Sequence, residues 1–364
     1  MLIEPFILAV AAAMTASVAY CASLFAARSR RFLDHPNERS SHVSATPRTG
    51  GLAIIGAWCA GLFVLSAFSE SGELAATLSL LGMMSLAAMG LGLADDRFDL
   101  MPLWKFVGQI IVAALFTALF GPFESIPLPY FGEAALPPVA GVGFTILWIV
   151  GFMNVFNFMD GANGIAAGAA AVGLAWICVT ASYAGAPVLA VASLLLALAA
   201  AGFLPENLNR GKIFMGDNGS QALGFLIAAF AVLGVNWSGA RMNALIVPVI
   251  FMPFLFDVGW TLISRLIRKQ NIVDPHREHL YQLLLRSGAS HASVAMFYMG
   301  LISLCAAAAI LMLTLPSSLQ SLAPVTLIII LSIGAVSIYR RADQLNLLQK
   351  PPHSSSSQAM PAAE

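Results

Sequence analysis

Charge is what this chain has least of. Only 10% of its 364 residues are Asp, Glu, Lys or Arg, against 59% hydrophobic, where a soluble domain carries about a quarter charged residues. A mean hydropathy of +0.83 and long apolar runs argue against an ordinary soluble enzyme and place the chain among polytopic membrane proteins. The formal net charge is zero, so net charge makes no case for nucleic acid as a partner. Cysteine is scarce too. Cys21, Cys59, Cys178 and Cys305 lie singly inside apolar runs, with no C-x-x-C pair; they read as small buried hydrophobes rather than a disulfide framework or a thiolate metal site. The N-terminus lacks the basic residues that open a secretion signal. Glu4 precedes the first apolar run, and Arg28, Arg30 and Arg31 follow it, the pattern of a retained helix with its N-terminus outside.

The apolar runs give an all-α expectation. A bilayer core needs roughly 20 apolar residues per helix, and eleven runs qualify: about 5–27, 50–69, 74–94, 103–120, 138–158, 164–184, 187–204, 219–237, 242–264, 290–315 and 321–339. A periplasmic N-terminus and eleven crossings put the C-terminus in the cytoplasm. The positive-inside rule agrees: Arg48, Arg97, Lys212, Arg268, Arg277 and Arg340 fall in inner segments, and only Arg241 falls outside. Residues 1–340 read as one transmembrane domain and 341–364 as a cytoplasmic tail, disordered from about 350. The proline-rich stretch 121–138 suggests a small outer hairpin.

Five segments combine polar residues with glycine or proline: 34–51, 94–105, 154–164, 205–220 and 274–284. All five map to the cytoplasmic side. Asp95 and Asp96 stand side by side, and adjacent carboxylates are tolerable where a cation or proton shares their charge. With Asp160 and Asp217 they could converge on magnesium, which prefers oxygen ligands and leaves some positions to water and phosphate. Arg48, Lys105, Lys212, Arg277 and the histidines could meet phosphate oxygens, and Gly50-Gly51 would let backbone amides approach one closely. Each residue also has a plainer reading. Asp99 and Asp217 could cap the helices that follow them, Asp160 and Asn163 could be turn residues, and His276 and His279 could be solvated. The coincidence of five such loops on one side favours phosphoryl transfer onto a lipid.

At these motifs the chain resembles the polyprenyl-phosphate N-acetylhexosamine-1-phosphate transferases, over roughly residues 1–340. The D-x-P-N-x-R-x-x-H…P-R-x-G-G segment matches Asp34, Pro36, Asn37, Arg39, His42, Pro47, Arg48, Gly50 and Gly51. The aspartate pair matches Asp95-Asp96. N-x-x-N-x-x-D-G matches Asn154, Asn157, Asp160 and Gly161, and F-M-G-D-x-G-S matches Phe214–Ser220, preceded by Asn207 and Lys212. H-R-x-H matches His276, Arg277 and His279, and an intrahelical aspartate matches Asp257. Two departures stand out: Asn163 replaces a usual Asp, and Arg277-Glu278 splits the histidines. The second argues against the phospho-N-acetylmuramoyl-pentapeptide transferases of peptidoglycan synthesis.

The resemblance implies transfer of a sugar-1-phosphate from a UDP-N-acetylhexosamine to undecaprenyl phosphate in the bacterial inner membrane, releasing UMP and initiating O-antigen or another envelope polysaccharide. The sugar is N-acetylglucosamine or a deoxy derivative such as N-acetylfucosamine or N-acetylquinovosamine. Mg2+ is the implied cofactor, with Mn2+ as the substitute ion. Asp217 becomes the leading metal ligand, with Asp96 and Asp160 as further candidates. Asp95 orients or deprotonates the lipid phosphate beside Asp96. Asp160, Asn157 and Asn163 serve metal-bound water or the nucleotide, and Asn154 and Asn207 belong to the same substrate-binding motifs. His276, Arg277 and His279 take the sugar phosphate or diphosphate. A homodimer is left open. Two other classes compete. A cation-coupled transporter would place its acids near the midplane in repeated halves. A CDP-alcohol phosphotransferase needs a D-G-x-x-A-R…G-x-x-x-D-x-x-x-D spacing, which is absent.

Overall fold

The computed structural model describes residues 4–28, 33–34, 45–128, 132–208, 211–239, 241–271, 274 and 276–348. Pro36, Asn37, Arg39, His42 and the expected disordered tail lie outside them. The elements run α1 (Pro5–Ala26), β1 (Leu33–Asp34), β2 (Thr46–Pro47), α2 (Gly50–Ala67), α3 (Gly72–Phe98), α4 (Pro102–Phe120), β3 (Ser125–Leu128) and β4 (Gly132–Ala135). They continue with α5 (Pro138–Met159), α6 (Ile165–Ala184), α7 (Pro187–Leu208), α8 (Asp217–Trp237), α9 (Ile246–Ile250), α10 (Met252–Ile267), α11 (Leu280–Arg286), α12 (His291–Thr314), α13 (Ser317–Gln320) and α14 (Leu322–Gln344).

The chain is an all-α multi-pass membrane protein. Ten helices among the described residues are long and apolar enough to span a bilayer. The count differs from eleven because the expected ninth span is broken. Residues 242–264 form α9 and α10, separated at Phe251. Pro253 opens α10; it lacks the N–H that would continue the ladder from α9. A tight turn joins α6 and α7, with Gly185 left-handed at φ 79°, a conformation glycine adopts without Cβ strain. The 121–138 stretch forms a β3–β4 hairpin with Ile126 opposite Ala134.

The middle of the bundle is α8. Its apolar window is 94% buried, whereas that of α1 is 22% and that of the last span 17%. Small residues on α8 allow its neighbours to approach closely. A Cβ on Gly224 would lie 2.9 Å from the Met153 Cα of α5, so small residues let helix backbones close up without lipid between them. On the periphery, Phe6, Phe25, Ile329 and Ile333 are exposed and face hydrocarbon. Because α3 and α5 end where α4 and α8 begin, their polar ends meet at one end of the bundle.

Candidate active site

Lys105, in the first turn of α4, sits between two carboxylates. Its Nζ is 2.6 Å from Asp95 Oδ2 and 2.6 Å from Asp217 Oδ2. One ammonium therefore holds together two groups that would otherwise repel. The other oxygen of Asp217 accepts from Asn157 Nδ2 at 2.9 Å, and the same amide reaches Ser220 Oγ at 2.9 Å. Asp95 Oδ1 accepts from the Leu100 backbone N–H at 3.1 Å.

Asp96 points elsewhere. Its carboxylate accepts from the backbone N–H groups of Asp217 (3.1 Å) and Asn218 (2.9 Å) and from Asn218 Nδ2 (2.6 Å). It caps α8 from another helix and neutralises amides that have no intrahelical partner. The plainer alternative for Asp217 does not hold: its side chain does not cap its own helix. Asp99 does not cap the following helix either. It ends α3 in the left-handed region (φ 49°), and the residue preceding α4 is Met101. The Gly50 and Gly51 amides, expected to be available to phosphate, instead donate to Phe214 O (3.0 Å) and Met215 O (2.9 Å). A side chain on Gly51 would collide with Asn218 and Gly219, so that glycine serves the contact between α2 and the start of α8.

Asp160 follows the last turn of α5. Burial first, then the charges of Asp217 and Asp96, hold its carboxyl well above the usual carboxylate range, while Arg48 pulls the other way. Arg48 is fixed through its carbonyl, which accepts from Asn218 Nδ2 at 2.8 Å. The Asn163 backbone N–H donates to His291 Nδ1 at 3.2 Å. Asn207 acts as a brace: its Oδ1 accepts from the Gly164 N–H at 2.7 Å, and its Nδ2 donates to Ile213 O at 2.9 Å. Lys212 pairs with Glu206 at 3.0 Å. Asn154 turns into the bundle, toward Gln109.

The histidine loop is docked by a buried acid. Asp257 on α10 accepts from the N–H groups of Leu280 (2.8 Å) and Tyr281 (3.1 Å) and from Tyr298 Oη (2.5 Å), and it lies 3.3 Å from His279 Nδ1. Tyr281 Oη donates to Phe158 O at 3.1 Å, tying the loop to the end of α5 beside Asp160. The His276 ring is tilted against that of His279, with centroids 5.0 Å apart. Burial, followed by His279 and Arg265, pushes its pKa down to about 4, so it is neutral at physiological pH. Glu278 is clamped by Arg265 (3.4 Å) and Arg268 (2.6 Å). The half-buried Arg277 accepts at its carbonyl from Arg286 Nη1 at 2.9 Å.

Sequence reasoning missed Asn218, Gln109, Gln221, Tyr281 and Tyr298. Asn218 lies inside a quoted motif, so its spacing could have flagged it. Tyr281 lies inside the polar segment 274–284, whereas Gln109, Gln221 and Tyr298 had no signal beyond a polar atom in an apolar run.

The donor set at the cluster fits magnesium. It offers carboxylate oxygens and no thiolate, and the burial and acidic neighbours that disfavour an ionised Asp160 are what a nearby cation would offset. Among the described residues no three acidic, histidine or cysteine side chains converge into a metal cage. Magnesium commonly takes one or two carboxylates and completes its shell with water and phosphate.

The model of "Glycosyl transferase family 4" matches residues 50–235, which include Asp95, Lys105, Asn157, Asp160 and Asp217. A probable undecaprenyl-phosphate N-acetylglucosaminyl 1-phosphate transferase of Bacillus subtilis is 32% identical over 269 residues, covering 73% of this chain and 74% of that protein. A decaprenyl-phosphate N-acetylglucosaminephosphotransferase of Mycolicibacterium smegmatis is 34% identical over 304 residues, covering 76% and 75%. A phospho-N-acetylmuramoyl-pentapeptide-transferase of Staphylococcus saprophyticus is 35% identical, but only over 35% of this chain and 42% of its own length. With a family match across the helices that build the carboxylate cluster and relatives spanning about three quarters of its length, the chain belongs to glycosyl transferase family 4.

Proposed function

We propose that this protein transfers a sugar-1-phosphate from a UDP-N-acetylhexosamine to undecaprenyl phosphate, releasing UMP, with magnesium as cofactor. The observation that carries the reading is the meeting of Asp95, Asp217, Asn157 and Lys105 at one end of a membrane helix bundle. A lipid-borne phosphate and a water-borne nucleotide can both reach such a place. The sorting of basic residues favours the cytoplasmic face of the bacterial inner membrane. The relatives named for N-acetylglucosamine favour that sugar, and their longer coverage argues against the muramoyl-pentapeptide donor.

In this reaction an oxygen of the lipid phosphate attacks the phosphorus bearing the sugar. The bond from that phosphorus to the oxygen shared with UMP breaks, and UMP leaves with the electron pair. The transition state needs mainly positioning and charge neutralisation. Asp95 orients the attacking phosphate or takes its proton. Lys105 keeps Asp95 and Asp217 in register and places positive charge beside the phosphates. Asn157 fixes the orientation of Asp217. Arg48 and Arg277 supply charge to the diphosphate, while neutral His276 offers a hydrogen bond. Asp217, with Asp160, would hold magnesium, which offsets charge on the diphosphate and on departing UMP.

The test is purified protein with undecaprenyl phosphate, magnesium and a panel of UDP-sugars, scored for UMP and for lipid-linked sugar. Magnesium-dependent release of UMP with UDP-N-acetylglucosamine is expected. No release with any UDP-N-acetylhexosamine would refute the reading.

A further inference from the structure

Three site residues each have an amide one helical turn deeper in the bundle. Lys105 on α4 is followed four residues later by Gln109. Asp217 on α8 is followed four residues later by Gln221. Asn157 on α5 is preceded three residues earlier by Asn154. Residues three or four apart share a helix face. Since α4 and α8 run away from the site and α5 runs toward it, all three amides lie beneath it.

The amides meet one another. Asn154 Nδ2 donates to Gln109 Oε1 at 2.8 Å, and Gln109 Nε2 returns a longer bond to Asn154 Oδ1 at 3.5 Å. Gln109 Nε2 also donates to Gln221 Oε1 at 3.3 Å. Gln109 and Gln221 are fully buried, and Gln221 Nε2 has no hydrogen-bond partner among the described residues. Amides that bond to one another across three helices fix a relative register that apolar residues of similar shape would not.

We infer that Gln109, Asn154 and Gln221 are positioning residues, which set the axial and rotational register of α4, α5 and α8 so that Lys105, Asn157 and Asp217 meet above them. The inference rests on the reading of that upper cluster as the active site. The need is greatest for α4. It is peripheral, with Ile111, Leu115 and Leu119 about half exposed to lipid. Apolar contacts tolerate sliding, whereas one residue of slip moves a helix by about 1.5 Å and turns it by about 100°. Such a slip would carry Lys105 away from both carboxylates. The triad also accounts for Asn154, a substrate-binding candidate by motif, whose side chain is committed to Gln109 and to Val150 O (2.8 Å).

The experiment compares wild type with Gln109→Met, Gln109→Asn, Asn154→Gln and the exchanged pair Gln109→Asn/Asn154→Gln. Rates are normalised to folded protein, and kcat and KM for the UDP-sugar are separated. Gln109→Met keeps the side-chain length and suits an apolar interior. It takes the Gln109 donor from the Gln221 and Asn154 amide oxygens, so the thermal midpoint should fall, while turnover per folded enzyme should drop at least about tenfold, the scale of a misplacement below 1 Å, with KM changing less than kcat. The exchanged pair restores the summed length of the two amides and should recover most of the loss seen in the poorer single variant. Wild-type turnover in Gln109→Met would overturn the inference. So would a loss accounted for by reduced folded protein, or an exchanged pair no better than the poorer single variant. Lys105→Met and Asp217→Asn run in parallel. If they stay active, the site reading fails and this inference with it. If they are inactive while Gln109→Met is active, only this inference fails.

Discussion

Replacing Asp257 with Asn isolates what a buried carboxylate does for the histidine loop. The carboxylate serves four polar groups: Leu280 N–H, Tyr281 N–H, Tyr298 Oη and His279 Nδ1. Leu280 approaches one oxygen and Tyr281 the other, so an amide in either orientation leaves one of those backbone N–H groups without an acceptor. An unsatisfied buried donor costs about 1–3 kcal/mol. Tyr298 adds little, because its hydroxyl can rotate to accept from the new amide. The lost buried charge also recovers some desolvation, which favours the lower half of that range. Roughly fivefold to thirtyfold more frequent opening of the loop should follow. Hydrogen exchange over residues 276–286 should accelerate by that factor, with little change in α8, and kcat/KM should fall in parallel. Exchange and kcat/KM both at wild-type values would refute the idea that Asp257 docks the loop.

Asp217→Asn keeps size and removes charge, so magnesium-dependent turnover should fall by at least about a hundredfold, while Asp99→Asn, at a helix end outside the cluster, should be mild; equal effects would dissolve the distinction. Gly92→Ala should lower both the thermal midpoint and activity by overpacking worth about 1–3 kcal/mol, because its Cβ would press on the Asp217 carbonyl and lie 2.6 Å from Asn218 Cα, whereas Gly90→Ala meets nothing within 4 Å and should be neutral. His276 lies at about 4 in the fold against 6.5 for a free histidine. Its depressed pKa stabilises the fold fully above about 6.5 and progressively less as pH falls toward 4, so a thermal scan over that window should lose its slope partly in His276→Gln; an unchanged slope would count against the shift. Asn163→Asp should be neutral or harmful, since it adds negative charge near Asp160; a lower half-saturating magnesium concentration with turnover preserved would instead mark the position as a metal ligand.

Most membrane spans could be read from the sequence because the signal is crude and strong, roughly 20 apolar residues bounded by basic or proline-rich loops. The break at Phe251 was harder. Pro253 was visible, but proline is tolerated in membrane helices, and only packing decides between a kink and two helices. The site was partly legible for another reason. Asp95, Asp96, Asp160 and Asp217 stand out against an apolar background, so their presence was plain. Their division of labour was not, because it depends on which face of each helix meets which neighbour. Asn207 reads like a ligand in its motif, yet it bonds the Gly164 N–H and Ile213 carbonyl. Gln109 and Gln221 were overlooked because one amide in an apolar run carries no sequence signature. They acquire meaning only when three helices bring their amides together.

The adjacency of Asp95 and Asp96 shows why a charge count is a poor guide to such a site. Neighbouring residues on an α-helix point about 100° apart, so two touching positions in sequence serve different neighbours. Asp95 turns to Lys105. Asp96 turns to the first amides of α8, where a positive helix end awaits it. Each carboxylate thus has its own compensating charge or dipole, and their mutual repulsion is reduced without a metal between them. Asp217 is at once the acid that Lys105 bridges to Asp95 and the residue whose backbone Asp96 caps. The pair therefore acts on one point from two sides. Asp95 shares a lysine with the Asp217 side chain, and Asp96 fixes the backbone that carries it. The metal-binding role proposed for Asp217 would call for such a charged carboxylate, held so that it cannot swing. At Asp160, burial and then the charges of Asp217 and Asp96 disfavour the ionised carboxylate against the pull of Arg48, so a cation beside it would favour the charged form.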